Sequence, residues 1–79
     1  MKTQRVLVKD VMDQAKSCIV VHAAGGRVFV TSESGFSRLE KGDKSVIPIG
    51  FDREDVFEYD ERYAKLPNWK KMKPWAGLR

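Results

Sequence analysis

Apolar and polar positions along this chain alternate in two ways, and the clearest stretch is Cys18 to Thr31. Two β-branched runs, Ile19-Val20-Val21 and Val28-Phe29-Val30, flank Gly25-Gly26. Side chains alternate across a strand, and paired glycines take the positive φ that a tight turn needs. The pattern predicts a β-hairpin over 18–31. Val28 and Val30 then share one face, with Arg27, Phe29 and Thr31 on the other. On the first strand Cys18, Val20 and His22 share a face, opposite Ile19 and Val21. Both faces carry apolar residues, and an isolated hairpin is marginal in water, so the rest of the chain must cover it.

Elsewhere the period changes. Val8, Val11, Met12 and Ala15 recur at three and four residues, which predicts a short helix over 9–16. Phe36 and Leu39, preceded by the hydroxyls of 31–34 and followed by Gly42, predict a short helix or single turn, with a third strand as the competing reading. Gly35 counts against the helix by about 1 kcal/mol relative to Ala. Val46, Ile47 and Ile49 predict a strand that Pro48 confines to an edge or a bulge. Val56, Phe57 and Tyr59 either close a second hairpin, at about 46–60, or open a helix capped by Asp52 and running to Lys65. The fold expected is α+β: a small antiparallel sheet of three to four strands with one or two short helices on one side and a basic C-terminal arm. The alternative is a small SH3-like barrel, which requires residues 5–8 and 36–39 to be strands as well. Residues 1–65 read as one small globular domain and 66–79 as the arm.

Composition narrows the class. With 79 residues and 42% hydrophobic content, the chain is neither disordered nor large enough for more than a small core. No apolar run approaches the ~20 residues of a membrane span, and no signal peptide is read at the N-terminus. The single cysteine, Cys18, cannot form an internal disulfide and reads as a small buried hydrophobe, which fits a reducing cytoplasm. No membrane contact is expected.

The net charge of +4 is unevenly spread. Asp52, Glu54, Asp55, Glu58, Asp60 and Glu61 precede a stretch containing Lys65, Lys70, Lys71, Lys73 and Arg79 and no acid. Such asymmetry speaks to partners. Two binding readings follow. In the first, a protein partner is met by Trp69, Met72 and Trp75 together with the acids Glu58, Asp60 and Glu61, since Trp is enriched at interface hot spots. In the second, Lys65, Lys70, Lys71, Lys73 and Arg79 hold phosphates while the indoles stack on unpaired bases. The bland reading has the two indoles pin the C-terminus to the core and leaves the lysines in water.

Catalytic chemistry finds little support. His22 is the only histidine, and with Cys18 it falls short of the four ligands a structural zinc usually takes. Gly25-Gly26 lacks the flanks of a phosphate-binding loop. The pairs Asp10/Asp13 and Glu54/Asp55 lie in polar segments where helix-end and loop roles explain them. No catalytic residue, metal site or cofactor is expected. The expected function is that of a small non-enzymatic regulatory protein acting through a protein–protein surface, an inhibitor or accessory factor of the sort carried by phages and mobile elements. Nucleic-acid binding through the tail is the alternative. A homodimer would bury more surface, although Pro48 argues against pairing through its own stretch.

Overall fold

The computed structural model describes residues 4–77. Five strands, β1 (Arg5–Lys9), β2 (Ala15–Ala24), β3 (Arg27–Thr31), β4 (Ile49–Asp52) and β5 (Val56–Glu58), form one open antiparallel sheet in the order β4-β3-β2-β1-β5. Two short helices, α1 (Glu33–Glu40) and α2 (Glu61–Lys65), pack against β2. The α+β expectation holds, with five strands in place of three or four. The barrel alternative is not established: residues 5–8 lie in β1, but 36–39 lie in α1.

The central hairpin forms as its residues dictate. Gly25 and Gly26 have φ of 59° and 79°, the left-handed values of a two-residue turn. Val28 and Val30 point into a core shared with Val6, Val8, Val20, Val56 and Trp75. One detail differs. A bulge between Val20 and His22 shifts the register, so His22 stands opposite Phe29 and Ala23 takes the inward place opposite Val28. An extra residue in one strand reverses the alternation after it, and His22 leaves the face of Cys18 and Val20. Cys18 packs half-buried against the core, and burial pushes its thiol pKa up, which keeps it a neutral thiol.

Two elements are corrected. Residues 9–16 are not a helix. β1 runs to Lys9, and the Asp10 carboxylate accepts from the amides of Met12 and Gln14, at 2.8 and 2.9 Å. This side-chain mimicry of a turn joins β1 to β2, with Asp13 at positive φ. The helical spacing of Val8, Val11, Met12 and Ala15 is coincidental, for Val11 is 99% exposed at the tip of that turn. Nor is there a second hairpin at 46–60. β4 pairs with β3 and β5 pairs with β1, at opposite edges of the sheet. A single 3₁₀ turn, Arg53–Asp55, carries the chain between them, and Phe51 and Val56 on either side of it both reach the core. Residues 56–65 are strand and helix in succession, and the cap of α2 is Asp60, not Asp52.

α1 starts at Ser32, whose hydroxyl accepts from the Gly35 amide at 3.1 Å. Past its end, Asp43 accepts from the Ser45 hydroxyl and amide, at 2.6 and 2.9 Å, and from Arg38 at 2.8 Å. The Ser45 bonds, followed by Arg38, hold its carboxyl at about 2. A carboxylate held low when folded adds stability above its unfolded value of about 4, and that contribution fades as pH falls towards 2. In Ser45→Ala the Asp43 carboxyl, followed by NMR through an acid titration, should titrate at higher pH than in the parent. An unchanged midpoint would remove Ser45 as the main cause.

Candidate partner-binding surface

The segment after α2 returns along the outer edge of β5 at Lys73–Trp75. The Glu58 amide donates to the Lys73 carbonyl at 2.9 Å, and the Trp75 amide to Val56 at 3.1 Å. Phe57 faces Pro74 in an isolated bridge between these bonds. Trp75 turns into the core, 7% exposed. Its indole N–H donates to Gln4 Oε1 at 3.0 Å, and the Arg53 guanidinium, 6.0 Å from its ring centroid, donates to the Ala76 carbonyl. Met72 is buried as well. Trp69 is half-buried against Phe57, with ring centroids 5.2 Å apart. The Lys9 ammonium lies 5.7 Å from its ring centroid.

The apolar members of the predicted site therefore support the surface from beneath, while its charged members are outside. Glu58 and Glu61 are exposed. Asp60 caps α2, accepting from the Arg62 amide at 2.9 Å and from its guanidinium at 3.1 and 2.8 Å. Those Arg62 hydrogen bonds, with the charges of Arg62 and Lys73 adding to them, lower the Asp60 carboxyl pKa. Lys65, Lys70, Lys71 and Lys73 are exposed, and Arg79 lies outside the described residues. The strand register brings the acidic and basic blocks together. A cleft of about 160 Å³ has Glu58, Asp60 and Arg62 in its wall along with Lys71 and Lys73, and Tyr59 and Tyr63 complete it.

Sequence reading missed the groups that distinguish this surface. The Arg5 guanidinium stands 5.4 Å from the Tyr59 ring centroid, and that of Arg62 stands 5.3 Å from Tyr63. The tyrosines are four residues apart, a spacing visible in the sequence. Arg5 reaches Tyr59 because β1 pairs with β5, and nothing in the sequence announces that pairing. These are cation–π contacts, worth roughly 0.5–1 kcal/mol each at exposed sites, and they favour poses in which each guanidinium lies over its ring.

His22 stacks on Phe29 with ring centroids 6.0 Å apart. Among the described residues no side chain of the buried core is polar or charged. None of them forms a group of three or more His, Cys, Asp or Glu side chains placed to hold a metal ion, and no helix among them is long and apolar enough to cross a membrane. No protein family, curated protein or solved structure matches the chain.

Proposed function

We propose that this chain is a non-enzymatic protein-binding domain that regulates or occludes its partner through the face built by β5, α2 and the following segment. The observation that carries the reading is the pair of cation–aromatic stacks, Arg5 on Tyr59 and Arg62 on Tyr63, beside a cleft of mixed charge. Tyr and Arg are enriched at interface hot spots, Tyr because it buries a large area with only two side-chain torsions to fix. Charge of both signs favours a protein over a polyanion. A phosphate backbone laid on Lys71 and Lys73 meets Glu58 and Asp60 in the same cleft, and like charges oppose it.

The test begins with a photo-crosslinking residue at Tyr63, the captured protein being purified and titrated in solution. Tyr59→Ala and Arg62→Ala should each weaken binding about tenfold or more, the penalty of losing a hot-spot side chain. Lys65→Glu/Lys70→Glu, at exposed lysines that do not line the cleft, should change it little. In parallel, tryptophan fluorescence titrated with single-stranded oligonucleotide at low salt should show no saturable change. A saturable change abolished by the lysine variant would replace this reading with the nucleic-acid one.

A further inference from the structure

We propose that β4 is a self-complementary edge, and that a second copy of this chain pairs with it antiparallel about a two-fold axis at Gly50. The proposal concerns the edge opposite β5 and does not rest on the partner surface above.

Backbone alternation identifies what the edge offers. The Arg53 amide donates to the Gly26 carbonyl at 3.0 Å. In an antiparallel ladder hydrogen-bonded pairs recur every second residue, so Phe51 and Ile49 bond back to Val28 and Val30, their partners in the register. The amides and carbonyls of Gly50 and Asp52 therefore point away from the sheet. Pro48 has the same parity, and the donor it lacks is an outward one. Proline blunts an edge in this way, but here it leaves two donors beyond it.

The far edge is closed. The segment around Lys73 and Trp75 occupies the outward groups of β5, and Pro74, between those two, lacks the amide that would face outward in turn. β4 is thus the single open edge among the described strands. A chain with one open edge that pairs with its own kind makes a closed dimer instead of a filament.

Side chains fit that partner. With Gly50 opposite Gly50 of the second copy, Ile49 faces Phe51 of the second copy on the core face. Ile49 is 63% exposed although that face is otherwise apolar. On the other face the glycine pair presents no side chain, and the Phe29 ring already lies over Gly50, 3.0 Å from where a Cβ would stand. The Asp52 amide donates to the Pro48 carbonyl of the second copy, so the proline supplies an acceptor where it cannot supply a donor.

Sedimentation velocity of the full chain, from micromolar to millimolar concentration, should show a concentration-dependent species of twice the chain mass. Asp52→Pro should abolish it. Asp52 has φ −65°, the value proline imposes, and its amide bonds to nothing within the sheet, so the variant keeps its far-UV circular dichroism and melting temperature. Ile49→Lys, at an exposed position, should raise the dimer dissociation constant at least tenfold. A chain that stays monomeric throughout would overturn the proposal and leave the edge to a foreign strand. So would a dimer that survives both substitutions in folded protein.

Discussion

Replacing Trp75 with alanine should unfold a large fraction of the protein at room temperature. Deleting a buried Trp side chain costs about 3–5 kcal/mol, and a small domain sits near the low end of the 5–15 kcal/mol typical of folded chains. The indole packs into the core with Val6, Val8, Val28, Val30 and Val56, and its N–H is held by Gln4. Urea denaturation followed by circular dichroism should show the midpoint collapse. Trp75→Phe keeps most of the buried area and loses the Gln4 bond, and should cost about 1 kcal/mol more than the lost area, the net value of a typical hydrogen bond. If Trp75→Ala were as stable as the parent, the indole would not be part of the core. The same reasoning governs truncation. A chain ending at Ala64 loses Met72 and Trp75 and fails for reasons of folding, so it cannot isolate a binding arm.

Gly35→Ala should destabilise the protein although it improves the helix. Alanine in place of glycine favours a helix by about 1 kcal/mol. A Cβ on Gly35, however, would be driven into Thr31 Oγ1 and would press on Ser32 Oγ, the cap, at 3.2 Å. Overpacking of this kind costs about 1–3 kcal/mol, and a β-branched Thr has few rotamers in which to escape. The net effect should be a loss of stability. Thr31→Ala/Gly35→Ala removes the obstructing hydroxyl and should recover part of it, a coupling that a double-mutant cycle reads directly. Additive losses would show that the two residues do not meet.

These two residues also show what the sequence makes legible. Gly35 weakens the helix as a local matter, and only the approach of α1 to Thr31 explains its presence there. The hairpin at 18–31, the capped helix after it and the edge position of the strand beside Pro48 follow from residues within a few positions of one another, although that strand begins at Ile49 and leaves Val46 and Ile47 outside it. The pairing of β1 with β5 does not. It joins residues some fifty positions apart, and the preferences of Val6 or Val56 do not encode which strand each will meet. Arg5 on Tyr59 depends on that pairing and stayed hidden with it. The turn at 10–14 misled for the opposite reason: a short apolar period resembled a helix, while one Asp side chain held the chain in a loop. In the tail, composition located the aromatic residues and lysines correctly, but depth is a tertiary property, and Met72 and Trp75 lie inside.

The bond between Gln4 and Trp75 has a bearing on how the chain can be rewired. Residues from the two ends of the described chain sit side by side at one edge of the sheet, while the Lys41–Ser45 loop lies in the connection between α1 and β4. A circular permutant that links the region of Gln4 to that of Gly77 through a short glycine-serine bridge, and opens new ends at Gly42-Asp43, keeps every strand pairing.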